Sequence, residues 1–307
     1  MKRVTASLLF ILLLIPGRNA LLVAQYAAVN IPGTHVFINP VVGYKTAQGF
    51  KGLEKDKNTF IKVFDPYNSN FVKYSETFTR ISLENGGSEV QEYKKLNISG
   101  FPAKYASVQN NAGGTSDFLV FGDSSFSVML IGTCPANKDS DKDQLKAALL
   151  SVKYSKELKI DPLSATFFNM NDTNSSYRFA KCTNEYYIYS SLGVVKDAYP
   201  GESIVSVLPF TSEYSVGDET IARAISSSYQ QYGITDAKIK KEAQIQIGSL
   251  NAMEAEVDAR IDNKKAVLYR LTLVNGKKAV LVLGIATSDF DKNMDAFRTL
   301  AHTLKFK

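Results

Sequence analysis

Two histidines, His35 and His302, and two cysteines, Cys134 and Cys182, are all the imidazole and thiol chemistry this chain carries. A nucleophilic enzyme needs a base beside its nucleophile, with a third group to hold the base. Neither cysteine has a local partner signature, no G-x-S-x-G elbow occurs, and the glycine patterns of phosphate and dinucleotide loops are missing. His302 falls beside the apolar stripe of a terminal helix, and His35 lies in a loop near the start. These parts make a hydrolase only if the fold turns a histidine toward a carboxylate and a hydroxyl in a pocket. Two histidines without clustered cysteines or acids are also a poor zinc set.

A second pattern resembles a metal loop. Asn137, Asp139, Asp141 and Asp143 fall at every second residue, and Asp289, Asp291, Asn293 and Asp295 repeat them 152 positions on. Alternating oxygens open a calcium loop. Counted from Asp139, however, the sixth position is Gln144 and the twelfth is Leu150, where glycine and a bidentate glutamate are needed. Acids also gather where a helix begins, capping free N–H groups and meeting the positive end of the dipole. The expectation is therefore helix capping, with no catalytic residue, no cofactor and no resident metal. Asp139, Asp141, Asp291 and Asp295 are the candidates for a weak cation site.

The elements that carry these residues come in pairs. "VMLIGT" (128–133) returns as "VLVLGI" (280–285), so Gly132 matches Gly284. Downstream, Leu145, Ala148, Leu149 and Val152 match Phe297, Leu300, Ala301 and Leu304, each set on one face of a helix. Upstream at the same offset, "DFLVFGDSSFSV" (117–128) meets "YRLTLVNGKKAV" (269–280). Asn275-Gly276 predicts a hairpin with both residues at positive φ, and Asp123-Ser124 takes that place in the first copy. "ISGFPAKYASV" (98–108) resembles "IGSLNAMEAEV" (247–257), and strands are predicted at "TFIKVF" (59–64) and "SIVSVL" (203–208).

An earlier helix is predicted in each half, over about 75–85 before Gly86 and over 218–232 before Gly233. Asp218 is placed to cap the second, and Ile221, Ala224, Ile225, Ser228, Tyr229 and Tyr232 line one side of it. "VMLI" and "VLVL" are apolar on both alternating faces, which suits a central strand covered on each side. The strand is written twice because the domain is written twice. The break falls near "KELKIDPLS" (156–164), giving domains at 25–158 and 165–307 with a linker at 159–164.

Residues 1–24 read as a signal peptide. Lys2 and Arg3 precede the apolar core "LLFILLLI" (8–15), too short to span a bilayer, with cleavage expected before Gln25. Cleavage would remove Lys2, Arg3 and Arg18 and lower the formal charge from +6 to +3. The remaining lysines are interspersed with acids, which argues against nucleic acid as a partner. No later stretch is apolar enough to cross a membrane. In an oxidising compartment Cys134 and Cys182 can join, or each can stay buried as a small apolar residue. In "EYYIYSS" (185–191), Tyr187 and Tyr189 share one strand face and Tyr186 and Ile188 the other, a half-buried core arrangement. Asn171 and Asn174 are sequon-like, which matters only in a eukaryotic secretory host.

Each half resembles the PsbP-like (Mog/PsbP) fold. The first half does so through "VNIPGTHVFINP" (29–40), "FKGLE" (50–54), "ISGFPAKY" (98–105) and "FLVFGDSSFSVMLIGTCP" (118–135). The second keeps "SLNAMEAEV" (249–257), the hairpin and the helix, without a counterpart to "FKGLE". The resemblance implies an α+β protein of two tandem α/β/α sandwiches, each an antiparallel sheet flanked by helices. It also implies a binding or assembly role without catalysis. The expectation is an exported module, periplasmic or secreted, whose partner is another envelope or secreted protein or a small ligand. The alternative is a hydrolase or other enzyme with its site in the cleft between the domains.

Overall fold

The computed structural model describes residues 27–47, 49–64, 70–109, 113–136, 138–183, 186–194 and 202–307. The expected signal peptide and Asn137 lie outside them. Among the described residues no helix is long and apolar enough to cross a membrane.

The first half runs β1 (Val29–Asn30), β2 (Val36–Ile38), β3 (Lys45–Thr46), β4 (Gly52–Asp56), β5 (Thr59–Phe64), α1 (Phe71–Thr77) and α2 (Arg80–Asn85). It continues with β6 (Glu89–Ile98), β7 (Phe101–Gln109), β8 (Thr115–Gly122), β9 (Ser127–Cys134), α3 (Asp139–Leu150) and β10 (Lys153–Tyr154). The second half runs β11 (Phe168–Asn169), β12 (Arg178–Thr183), β13 (Tyr186–Ser190), β14 (Ile204–Thr211), α4 (Asp218–Gln231) and β15 (Ile234–Ile247). It ends with β16 (Leu250–Ile261), β17 (Lys264–Asn275), β18 (Lys278–Ala286), α5 (Phe290–Ala301) and β19 (Lys305–Phe306).

The two seven-stranded antiparallel sheets have the same order, β3-β4-β5-β9-β8-β7-β6 and β12-β13-β14-β18-β17-β16-β15. The strands carrying "VMLI" and "VLVL" are β9 and β18, each in the middle of its sheet. The protein is thus an α+β chain of two tandem sandwiches. β13 holds the place of β4, so the "FKGLE" strand has a structural counterpart that its sequence does not reveal. The halves touch through polar groups: the Lys51 ammonium lies 6.0 Å above the Tyr187 ring, and Lys57 is 3.7 Å from Glu213.

Each sheet has an inner face under the terminal helix. Leu145, Ala148, Leu149 and Val152 bury in the first core, and Phe297, Leu300, Ala301 and Leu304 in the second. Gly132 and Gly284 lie directly beneath those helices. A Cβ on Gly284 would come 2.5 Å from Phe297 Cγ, and one on Gly132 would come 3.1 Å from Leu149 Cδ1. At Gly284 the missing Cβ is a packing requirement that lets the helix close on the strand, whereas at Gly132 the approach is tight but faces movable leucine tips.

Several local expectations are corrected. The Asn275-Gly276 turn closes one residue later: Asn275 pairs with Lys278, and only Gly276 of the pair has positive φ, +60°. That pattern places glycine first in the loop, as a type II′ turn requires. The helix expected over 75–85 is two short helices. Asn70 caps α1, and Thr79 caps α2 by accepting from the Ser82 amide, leaving Phe78 between them as a buried plug. Gly217, not Asp218, has the extended backbone of the α4 cap. Asp218 is already helical, so it meets the dipole without capping. The "YYIYS" strand alternates as expected but is buried on both faces, not half-buried.

Candidate functional site

The acidic helix starts do not cap through their side chains. The α3 cap is Lys138 and the α5 cap is Asp289 at φ +46°, and neither makes a side-chain cap hydrogen bond. Asp139 and Asp141 do occupy the first turn of α3, and Asp291 that of α5. Asp141 is buried and held by Lys55 at 2.7 Å, with Lys138 at 4.0 Å. Asp139 and Asp291 are exposed, and Asp295 pairs with Arg298 at 3.3 Å. Asn293 accepts from the Tyr177 hydroxyl and donates to Ser203 and Ser288. Among the described residues no group of three or more His, Cys, Asp and Glu is placed to hold a metal. Cys134 and Cys182 lie in different cores and do not join to each other; burial, then the nearby Asp117 and Asp141 charges, push the Cys134 thiol up.

His302 meets a carboxylate and a hydroxyl, though not as a triad. Its Nε2 is 2.9 Å from Glu254 Oε1, and Tyr269 Oη donates to that same oxygen at 2.7 Å. Arg298 lies 3.5 Å from Glu254 and 2.8 Å from Glu256. Tyr269 is fully buried, and burial together with Glu254 holds its hydroxyl far above the usual phenol range. Burial pulls Glu254 up, but hydrogen bonds from Tyr269 and His302 and the Arg298 charge outweigh it, so its carboxyl sits below its ordinary value. The hydroxyl proton is already committed to the carboxylate, under a helix that covers it. The cluster ties α5 to β16 and β17. His35 lies apart, its ring 5.3 Å from that of Tyr154.

The more telling comparison is between the two outer sheet faces. In the first half, Phe118 on β8 and Tyr93 on β6 flank Ala106 on β7. The buried Phe78 ring packs on both, at 6.3 Å from each. Tyr93 Oη and Lys104 Nζ donate to the Phe78 carbonyl, which holds the α1–α2 junction down. That face is sealed by aromatic side chains.

In the second half the same three places are filled by Arg270 on β17, Glu242 on β15 and Ala255 between them. An ion pair, Arg270 Nη2 to Glu242 Oε1 at 2.7 Å, replaces the aromatic floor. The Arg270 side chain is 11% exposed. Above it, α4 buries only Ser228 fully and is fastened at its C-terminal end, where Tyr232 Oη donates to Ser206 Oγ at 2.8 Å. Between helix and sheet remains an open groove of about 630 Å³, walled by Ala222, Ile225, Tyr229, Gln230, Ile234 and Arg270. The Tyr229 hydroxyl is buried with no hydrogen-bond partner among the described residues. Ile239 and Met253, 55% and 41% exposed, stand on the same face nearby.

The α4 stripe was readable, and it supplies Ile225 and Tyr229. Arg270 and Glu242 were missed. The available signal was a lone arginine inside the apolar run "AVLYRLTLV" (266–274), at the position that Phe118 holds in the first copy.

No protein-family model and no curated protein sequence matches the chain. Solved structures with a distant likeness include CyanoP, the cyanobacterial PsbP of Synechocystis, at 14% identity and a TM-score of 0.29, covering 50% of this chain and all of that one. A chain of the Tle4–Tli4 complex is 8% identical with a TM-score of 0.38, covering 87% of this chain and 98% of its own. TplEi, a T6SS immunity protein from Pseudomonas aeruginosa, is 8% identical with a TM-score of 0.36, covering 89% and 95%.

Proposed function

We propose that this is an exported, non-catalytic binding module, and that the groove under α4 is its binding site. The observation that carries the reading is the replacement of an aromatic seal by an ion pair under a loosely covering helix. Two copies of one fold cover the same sheet face differently: the second buries Tyr186, Ile188, Ile234 and Val257 there, with Tyr229 and Tyr232 packed on them, but keeps an ion pair where the first has aromatic rings. Phe78, Tyr93 and Phe118 close it in the first half, while Arg270 and Glu242 leave it open in the second. Burying a charged pair in place of packed aromatics gives up stability, which makes sense where a ligand uses those groups. Export rests on the charged start and apolar core of residues 1–24. The non-catalytic reading rests on His302, whose carboxylate partner is engaged by a buried phenol.

A thermal-shift screen of the intact mature chain against amphiphiles, sugars and short peptides tests this reading. Ala222 is exposed on α4 and lines the groove, so Ala222→Trp should fill the site without disturbing a core. At least one compound class should stabilise the parent and lose that effect in Ala222→Trp. Stabilisation that Ala222→Trp leaves intact would move the site elsewhere. Hydrolysis of ester, peptide or phosphoester substrates that disappears with His302→Ala would overturn the non-catalytic reading.

A further inference from the structure

We propose that the groove under α4 takes a small amphipathic carboxylate. Its apolar body lies between Ala222, Ile225 and Ile234, and its head is held by the Arg270 guanidinium and the Tyr229 hydroxyl. This rests on the groove being the binding site and adds the chemistry of its ligand.

Of the polar groups in the wall, Ser226, Gln230, Arg270 and the Tyr229 hydroxyl, the last two have donors to spare. Arg270 is nearly buried, and its recorded acceptor among the described residues is one oxygen of Glu242, reached by Nη2 alone. A guanidinium has five N–H donors and no acceptor, in a planar fork that matches the two oxygens of a carboxylate. One bond therefore leaves most of the fork unused. Tyr229 has its hydroxyl buried without a partner in the same wall. Buried donors left unpaired are costly and uncommon in native structures. That cost falls on the Tyr229 hydroxyl; the open part of the Arg270 fork still reaches solvent, and a single acceptor-rich head engages both.

Ala222, Ile225 and Ile234 make the apolar part of the wall, and the groove's 630 Å³ lies within the roughly 300–1,000 Å³ typical of small-ligand sites. Glu242 stands at the outer side of the ion pair with its side chain 39% exposed, so it can turn to solvent as the ligand arrives. The ligand head and Glu242 compete for one cation. This fixes the sign of an otherwise unexpected effect: removing the Glu242 charge must tighten binding.

Isothermal titration of the intact chain with decanoate, decanol and acetate tests the proposal. Decanoate should bind saturably at one site, and decanol, which lacks the charge, and acetate, which lacks the body, at least about tenfold more weakly. Arg270→Gln should weaken decanoate roughly 10- to 100-fold. Glu242→Gln should strengthen it several-fold, and Ala222→Trp should abolish it. Equal affinity for decanoate and decanol, or an Arg270→Gln variant that binds decanoate normally, overturns the proposal. Should Arg270→Gln fail to fold, Glu242→Gln decides, because unchanged or weaker binding contradicts the competition. If decanoate fails while another class loses binding in Ala222→Trp, the groove stands as the site and this ligand chemistry falls. If no bound compound responds to Ala222→Trp, both readings fall.

Discussion

Replacing Gly284 by alanine should be far more damaging than the same change at Gly132, although the two glycines are equivalent in the repeat. The new Cβ at 284 would sit 2.5 Å from Phe297 Cγ and 3.0 Å from Phe297 Cβ. Phe297 is fully buried, and its Cβ moves only if the helix backbone moves. Restoring ordinary contact therefore requires α5 to lift by about 1 Å over β18, an overpacking cost of about 2–3 kcal/mol. At 132 the neighbours are the tips of Leu149 and Leu145, at 3.1 and 3.3 Å, with Leu145 Cβ at 3.8 Å. Those tips can rotate by a few tenths of an ångström. The alanine also narrows the unfolded ensemble, which returns about 0.4–1 kcal/mol. The net change at 132 should be within about 1 kcal/mol of zero.

Urea unfolding of both variants, followed by far-UV circular dichroism and by fluorescence of the chain's 16 tyrosines, reads the difference. With a slope of about 1–3 kcal/mol per molar urea, Gly284→Ala should lower the midpoint by about 0.7–3 M. Adding Phe297→Leu to Gly284→Ala should recover part of the loss, although Phe297→Leu alone destabilises. Equal midpoints for Gly284→Ala and Gly132→Ala, or no recovery in the double variant, would refute the wedge between β18 and α5.

Two further predictions concern the carboxylates under the terminal helices. Asp117 is buried, and burial pushes its carboxyl up against the opposing influence of the Ser107 and Tyr105 hydroxyls and the Lys146 and Lys142 charges. A raised folded-state value means that stability is lost as pH rises from the ordinary carboxylate value, roughly 4, through the raised one. Asp117→Asn should therefore flatten that slope and add about 1 kcal/mol at pH 7; a loss of stability at pH 7 would contradict it. Glu254 has the opposite sign. Its lowered value means a contribution that is full above the unfolded value and lost as pH falls through the folded one. Glu254→Gln should cost about 1–2 kcal/mol at pH 7, and its midpoint should move toward the parent's as pH falls below the ordinary glutamate value of roughly 4.3. A gap that persists unchanged in acid would show that His302, Arg298 and Tyr269 gain nothing from the charge.

The paired carboxylates show how the two copies diverged within one frame. Tyr105 on β7 and Asp117 on β8 lie under Lys146, whose ammonium is 5.7 Å from the Tyr105 ring centre. In the second copy the order is reversed, with Glu254 on β16 and Tyr269 on β17 under Arg298, 5.9 Å from the Tyr269 ring. The second pair is joined by a 2.7 Å hydrogen bond, whereas Tyr105 and Asp117 are close enough to shift each other's ionisation but form no well-aligned bond.

The sequence alone determined the repeat, the central strands, the two terminal helices with their buried stripes, and the alternation of Tyr186, Tyr187, Ile188 and Tyr189. All of these follow from periods of 2 and 3.6 that each segment carries within itself. Capping and turn detail was less legible. The residue that must be extended or left-handed is selected by how the helix or hairpin closes, which moved the α4 cap to Gly217 and the β17–β18 turn to Gly276. The candidate site was decided by tertiary structure. Glu242 and Arg270 are 28 residues apart and meet only because two ladder registers place both beside Ala255. The groove exists because the aromatic rings of α4, Tyr229 and Tyr232, pack beside Ile234 and Tyr186 and leave Arg270 uncovered, where Phe78 covers the equivalent place in the first half. Periodicity states which face of a strand is covered; only the register between distant strands, and the height at which a helix settles, states what is left uncovered.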